Sequence, residues 1–361
     1  MRVFHLTSVH HRFDTRIFFR QCVSLSKEFT VQLIVCDGRG DQVQQNVSII
    51  DLGKPRNRFF RIIISPIKIL FYCLKNNADI YHFHDPELMF TGAFLRLFNK
   101  KVIYDAHEDF PQQIFLKHYL PHSFSMIISK LAQLAMFITM RFFNQLITVT
   151  PHISKKLNQF NPNVGIIYNY PNINEFPPPS VHKATGNVCY IGLISFPRGL
   201  KEMCLAIQKT SGHLLIGGKP TSDSERHFLT QQNKEKTTYL GFLNRQDIHK
   251  TFSTSVAGVM IAQPMDNMFH SFPVKLFEYM SAGLPVIISN FPVWKAIIDD
   301  HQCGICVDPN NLDQISTAIQ WIFDHPNEAQ AMGQRGQAAV KMIYNWDIEE
   351  SKLYSIYSSI K

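Results

Sequence analysis

This chain of 361 residues has no long uninterrupted apolar run. Its two most apolar regions, 54–75 and 124–143, are both broken: five Arg and Lys precede Ile69 in the first, and Lys130, Gln133 and Arg141 divide the second. Neither leaves the roughly 18 apolar residues that a spanning helix needs, so the sequence predicts no transmembrane helix. The stretch from Met1 to Thr7 reads as a strand rather than a cleavable leader. Seven cysteines at irregular spacing give no disulfide framework and point to reduced thiols and the cytoplasm. Cys303-Gly-Ile-Cys306 lacks the second pair that a zinc site would need, and a packing role in the strand at Ile305–Val307 is expected. No Walker motif is present, which removes support for phosphoryl transfer from a nucleoside triphosphate, and no nucleic-acid-binding motif accompanies the basic residues.

What is present is a foldable composition, 45% hydrophobic, in a chain long enough for two domains. Charge is divided unevenly. Residues 1–172 hold 20 Lys and Arg against 11 Asp and Glu, and residues 173–361 hold 16 against 17. A basic half beside a neutral half suggests that one domain meets an anionic surface. The stretch from Lys54 to Lys75 suits an interfacial membrane helix, or equally a helix that covers a sheet with its basic residues in water. Short apolar runs alternate with helical stretches on both sides of a Pro- and Asn-rich segment, Tyr168–Ser180, predicting two parallel α/β domains joined there. The expected boundaries are 1–172, 173–345 and a last amphipathic helix over 346–361, which can cross back to the first domain.

The densest signal is Ser271-Phe-Pro-Val-Lys-Leu-Phe-Glu-Tyr-Met-Ser-Ala-Gly-Leu-Pro285. Ser271 is placed to cap a helix, Pro273 is tolerated in its first turn, and Gly283 supplies a left-handed stop before the strand-like Val286–Ile288. A helix start at the end of a parallel strand is where open α/β sheets bind ligands, and Lys275 adds charge to its N–H groups. Glu278, three residues on, shares that face. Spacing alone fits either an anion site or a surface Lys–Glu pair. His82, His84 and Asp85 fit either a metal cluster or a hydrogen-bonded corner. The glycine-free loop Ser8–Arg16 places His10, His11, Arg12, Asp14 and Arg16 either toward an acceptor's phosphate or sugar, or, through Asp14, at the cap of the next helix.

Together with Tyr190-Ile-Gly-Leu-Ile-Ser-Phe-Pro-Arg-Gly199, Tyr239-Leu-Gly-Phe-Leu243, Gly304-Ile-Cys-Val-Asp-Pro309, Asp79-Ile-Tyr-His-Phe-His-Asp-Pro-Glu87 and Tyr104-Asp-Ala-His-Glu-Asp-Phe110, this segment resembles glycosyltransferase family 4, the retaining enzymes of GT-B fold. The resemblance covers nearly the whole chain. It implies two Rossmann-like domains facing across a cleft, the acceptor on the first and a nucleotide-sugar donor on the second. Glu278 then matches the ribose-binding glutamate, Lys275 belongs to a Pro-x-Lys-x-x-Glu subgroup near the diphosphate, and Arg198 with Gly199 forms the diphosphate clamp. Ser271 and Val274 open the donor helix, and Asn244 and Arg245 lie near the base. His107 matches the catalytic histidine at the donor sugar, with Glu108 to orient its ring. One position departs from the pattern: His270 stands where many members carry an acidic sugar contact, and Asp266 is close enough in sequence to compensate.

The resemblance therefore implies transfer of a sugar from a nucleoside diphosphate to a surface-glycan acceptor, lipid-linked, with retention. Fixed cations and helix N–H groups would stabilise the leaving diphosphate without a metal or other cofactor. Expected partners are the donor, a saccharide acceptor and an anionic membrane face, the last making the protein peripheral on the cytoplasmic membrane. Two other readings stay open: a sugar-nucleotide epimerase of the same fold, and an inactive glycosyltransferase-like partner subunit consistent with His270.

Overall fold

The structure, a computed structural model, describes all residues except 116–121, 174, 177–185, 233–234 and 361, together with the side chains of His122 and Asn267. It divides into two compact units, Met1–Asn169 with Glu349–Lys361, and Tyr170–Ile348. The first boundary thus falls between Asn169 and Tyr170, slightly before the sequence-based one. Of the expected linker, residues 174 and 177–180 lie outside the described set.

The first unit holds eight strands: β1 (Arg2–Leu6), β2 (Thr30–Val35), β3 (Gln42–Gln44), β4 (Val47–Asp51), β5 (Ile80–Phe83), β6 (Lys101–Ala106), β7 (Gln145–Thr148) and β8 (Val164–Ile166). Their order is β3-β4-β2-β1-β5-β6-β7-β8, all parallel except for the edge strand β3. That short polar edge strand carries no long apolar run, and the sequence-based reading does not include it.

Strand alternation sorts this sheet into two chemically different faces. Phe4, Leu6, Tyr81, Phe83, Val102 and Tyr104 point into an apolar core with Ile69, Cys73, Met89, Leu95 and Met136. These latter residues come from the helices Arg58–Lys75, Met89–Leu97 and His122–Thr139. The opposite face carries His5, His82 and Asp105, all fully buried. Two elements cover it: the π-helical segment Thr15–Cys22, capped by Asp14 through the N–H groups of Arg16 and Ile17, and the last helix, Trp346–Ser359. The last helix joins the first unit from Glu349 onward, where Glu349 accepts from the Tyr168 N–H at 2.9 Å, Lys27 pairs with Glu350 at 2.6 Å and the Tyr354 hydroxyl donates to the Ser24 carbonyl.

The three helices on the apolar face bury one side and expose the other. Phe71, Leu97 and Leu131 are 68%, 80% and 59% exposed. Ser123–Phe142 has a mean hydropathy of 1.4 over its best window, enough by length and composition to cross a membrane despite Lys130 and Arg141. This corrects the expectation from interrupted runs. The basic residues are too few to bring the window down, and Arg141 lies 3.9 Å over the Phe137 ring rather than breaking the helix. Met136 and Met140 nevertheless pack into the apolar core of this unit.

The second unit is a six-stranded parallel sheet of β9 (Asn187–Ile191), β10 (His213–Gly217), β11 (Thr237–Tyr239), β12 (Ala257–Met260), β13 (Val286–Ser289) and β14 (Gly304–Val307), ordered β11-β10-β9-β12-β13-β14. Connections run outward in opposite directions from β1 and β5 in one sheet and from β9 and β12 in the other, and such switch points open a crevice at the strands' carboxyl ends. All seven cysteines are free, and Cys303 is buried beside β14 as a packing residue.

After β9 the chain turns through Phe196–Arg198 and enters the helix Leu200–Gln208 at Gly199, whose φ is +77°. A Cβ there would lie 1.5 Å from the Ile261 carbonyl oxygen. Only glycine lets this turn rest on the end of β12. Gly199→Ala is expected to lower the unfolding free energy by about 2–4 kcal/mol, read from the urea midpoint. An unchanged midpoint would show that the turn is not held against β12.

Candidate functional site

In the first unit a polar network fills the switch point. His5 and His82 are register partners on β1 and β5, and Asp105 sits on the next strand with its side chain on the same face. The Arg16 guanidinium donates twice to the Asp105 carboxylate, at 2.8 Å each, and Gln21 adds a third bond at 2.7 Å. Burial alone would raise the Asp105 pKa, but Arg16 and His107 outweigh it and hold the carboxyl well below its ordinary range. His107 Nε2 lies 3.4 Å from Asp105 Oδ2 and 3.3 Å from His84 Nδ1. The expected partner of the His107 ring, Glu108, is exposed. Asp105, on β6 two residues before His107, contacts the ring.

His10 tilts against His107 with ring centroids 4.8 Å apart. Burial opposes its protonation, yet Asp14 and Asp85 raise its pKa above the ordinary imidazole value. Asp85 also accepts from Thr7, Ser8 and Val9, which fixes the turn after β1. Five loop residues were expected at an acceptor, and the structure separates them. Asp14 caps the helix, Arg16 is buried on Asp105, and Arg12 is buried with two bonds to Asp37, at 2.6 and 2.7 Å. Both arginines are committed to internal carboxylates, which corrects their assignment to an acceptor. His11 remains exposed and lines a cavity of about 600 Å³ with Ser8, Arg39, Lys54, Arg58 and Arg61.

The nitrogens of His5, His82 and His84 lie within 4.8 Å of one another, a spacing a metal ion can bridge. His5 Nδ1 and His84 Nε2, however, are bonded to each other at 3.0 Å. The structure therefore presents these rings as a hydrogen-bonded corner.

In the second unit, the helix Val274–Ser281 starts three residues later than predicted and has no side-chain cap. Ser271 is not its cap: its hydroxyl donates to the Met268 carbonyl at 2.9 Å, and its own carbonyl accepts from Trp294. Pro273, extended at ψ 125°, precedes the first turn, and Gly283 ends the helix at φ +71°. Lys275 reaches back to β9, donating to the Tyr190 hydroxyl at 2.8 Å with its ammonium 4.2 Å over that ring. Gly192 has a φ of +143°, which favours glycine, and a Cβ there would lie 1.9 Å from the Lys275 Cε. Burial, and then the neighbouring Arg198 guanidinium, push the Lys275 pKa down to about 7, against a smaller opposing pull from Glu278. Two cations held together in this way favour an anion between them.

Glu278 accepts from Arg245 at 2.8 Å, and Arg245 pairs also with Glu175 at 2.8 Å while lying 5.5 Å over Phe176. Asn244, expected near the base, is a helix cap: its side chain accepts from the Asp247 N–H at 3.0 Å. Arg245 is the residue aimed at Glu278. His270 follows the short helix Asp266–Phe269 and is exposed, as is Asp266. The sequence reading missed Asp105 as the anchor and the ring-to-ring bonding of His5. The alternation of His5, His82 and Asp105 on neighbouring strands is the signal that leads to them.

Known proteins share this architecture. Residues 182–339 match the family model of glycosyl transferases group 1, and residues 18–173 match that of glycosyltransferase family 4. D-rhamnosyltransferase WbpZ of Pseudomonas aeruginosa is 21% identical over 285 residues, which cover 75% of this chain and 71% of that protein. Among solved structures, Anabaena HepE in complex with UDP and glucose superposes with a TM-score of 0.74 at 12% identity, covering 99% of this chain and 100% of the other. WaaG, a glycosyltransferase involved in lipopolysaccharide biosynthesis, gives 0.70 at 13% identity over 99% of both chains. At these identities the structural likeness shows a common GT-B fold.

The Lys275 environment has a measurable consequence. Its native pKa of about 7 lies below the ordinary 10.5. Between these values the unfolded chain holds the extra proton, so this group makes stability rise with pH across that window. An anion placed between Lys275 and Arg198 reverses the cause and recharges the amine. Binding of inorganic pyrophosphate at pH 8 is therefore expected to take up about one proton, measured calorimetrically in buffers of different ionisation enthalpy. The uptake should vanish in Lys275→Met, and equal proton uptake in that variant would rule out Lys275 as its source.

Proposed function

The chain is a glycosyltransferase of the family 4 type, and we propose that it moves a sugar, with retention of configuration, from a nucleoside diphosphate to a lipid-linked saccharide acceptor in surface-glycan synthesis. The observation that carries this reading is the Arg198–Lys275 pair at the second unit's switch point, with Lys275 pressed against Gly192 and partly neutralised. As the glycosidic bond breaks, negative charge builds on the leaving diphosphate, and fixed cations with the N–H groups of Val274 and Lys275 stabilise it. On this reading no metal is needed. The UDP bound by Anabaena HepE and the lipopolysaccharide role of WaaG support a nucleotide donor and a surface-glycan acceptor. Glu278 takes the ribose hydroxyls with Arg245 as its counter-charge, and the exposed His270 meets the donor sugar. His107 stabilises the reacting sugar while the leaving diphosphate assists attack from its own face.

The acceptor reading draws on the first unit. The cavity beside His11 gathers Arg39, Lys54, Arg58 and Arg61, a composition that suits a phosphate. Arg58 also begins the helix whose exposed Phe59, Ile63, Ile67 and Phe71 suit an acyl chain or the membrane carrying it. The adjoining helices extend the apolar surface through Phe90, Leu97, Leu131 and Phe137, larger than a surface intended only for water. The protein on this reading works at the cytoplasmic face of an anionic membrane.

Purified protein given UDP- and GDP-sugars is expected to release nucleotide only when a lipid-linked saccharide is added. Conversion of the donor without an acceptor would instead indicate an epimerase. Glu278→Ala should weaken nucleotide binding by about 1.5–3 kcal/mol in a folded protein, and unchanged affinity would remove the ribose role. Replacing Phe59, Phe71 and Leu97 together with Ser should sharply reduce co-sedimentation with anionic liposomes. An unaltered bound fraction would count against this face.

A further inference from the structure

The polar face of the first unit contains more histidine than a sugar contact requires. His5, His82 and His84 are buried, and only His107 of the four rings reaches the surface, its side chain 18% exposed. Tyr357 from the last helix closes the group: its hydroxyl is 2.7 Å from His82 Nδ1 and 3.2 Å from His5 Nε2. His5 Nδ1 meets His84 Nε2 at 3.0 Å, and His84 Nδ1 meets His107 Nε2 at 3.3 Å. The result is an unbroken chain of contacts from the C-terminal helix to His107. We propose that Tyr357, His82, His5 and His84 form a directional hydrogen-bond relay that fixes His107 as its Nε2–H tautomer and makes its Nδ1 an acceptor. Tyr357 and His5 are then positioning residues for His107, and the inference rests on the reading that His107 meets the sugar.

Hydrogen counting gives the direction. Burial lowers the pKa values of His5 and His82 well below the ordinary imidazole value and pushes His84 to about 3, so at neutral pH each ring has one N–H and one lone pair. The Tyr357 hydroxyl has one proton, so it donates to one ring and accepts from the other. Donation to His82 Nδ1, the shorter contact, leaves the His82 proton on Nε2. That nitrogen has no hydrogen-bond partner and lies 4.0 Å from the Asp105 carboxylate, where an N–H is favoured and a lone pair is not. Tyr357 must then accept from His5 Nε2–H. His5 Nδ1 is consequently bare and accepts from His84 Nε2–H, and His84 Nδ1 is bare and accepts from His107 Nε2–H. The last N–H points between His84 Nδ1 and Asp105 Oδ2, its nitrogen 3.4 Å from the carboxylate. His84 Nδ1 lies 3.5 Å from the same oxygen, so this direction turns two N–H groups, of His82 and His107, and one lone pair toward the carboxylate that Arg16 and Gln21 hold ionised, whereas the reverse would turn two lone pairs and one N–H toward it.

Every step thus requires the same tautomer, protonated on Nε2 and bare on Nδ1, in all four rings. Long-range proton–nitrogen correlation spectra of the full-length chain, with nitrogen-15 histidine assigned by single-site replacement, read this directly. Four Nε2–H rings are expected, and an Nδ1–H on His5 or His84 would overturn the relay in the native protein without any variant. Tyr357→Phe removes both the donor to His82 and the acceptor for His5. In that variant His107 should lose its single tautomer, and turnover should fall about 5- to 10-fold, the kinetic equivalent of about one hydrogen bond, with the donor KM within about twofold. A folded Phe variant with an unchanged His107 spectrum overturns the proposal, and if the variant does not fold, the native spectrum decides. The spectra do not depend on turnover. Four Nε2–H rings in a protein that transfers no sugar would support the relay while removing the reaction assigned to His107.

Discussion

The buried Asp105 carboxylate organises the first unit. An ionised acid in the interior is tolerated only when its oxygens are paired and bonded, and here Arg16, Gln21 and His107 meet it. That requirement reaches far along the chain. The loop after β1 must deliver Arg16 to the sheet, which is why Asp14 caps a helix at that point and why Arg16 also donates to the Ile167 carbonyl and the Asn169 side chain at 2.8 Å. One ion pair therefore ties together the beginning, the middle and the end of the first unit's sheet.

The second unit meets a different constraint, close approach of backbone to charge. Lys275 lies over Gly192, and the turn carrying Arg198 lies over the Ile261 carbonyl at Gly199. A side chain at Gly192 would displace Lys275, and one at Gly199 would displace the turn that carries Arg198. Packing thus keeps Lys275 buried and near Arg198, and burial first, then Arg198, lowers its pKa to about 7.

Much of this was legible in the sequence, because it depends on periodicity. Parallel strands buried on both faces read as short apolar runs, and the Pro- and Asn-rich segment lies at the change of unit. The Lys275–Glu278 segment, Arg198 and His107 could be singled out because their motifs are local. What could not be read was the commitment of individual polar side chains. Whether Arg12 faces solvent or Asp37, whether Ser271 or no side chain caps the helix at Val274, and whether the Asn244 side chain caps its own helix depend on contacts a sequence does not display. Tyr357 is the clearest case: it lies 352 residues from His5, and nothing in its neighbourhood marks it as a partner of a histidine.

The return of the last helix to the first unit has a consequence for how the molecule is made. Because Glu349–Lys361 belongs with Met1–Asn169, the second unit is, in topology, an insertion within the first. A ribosome delivers the amino-terminal sheet early but its final covering layer last, so His5 and His82 lack Tyr357 until the whole second unit has been synthesised. The first unit must therefore wait, incompletely covered, until Glu349–Lys361 has been made. Completion of the first unit therefore follows synthesis of the second.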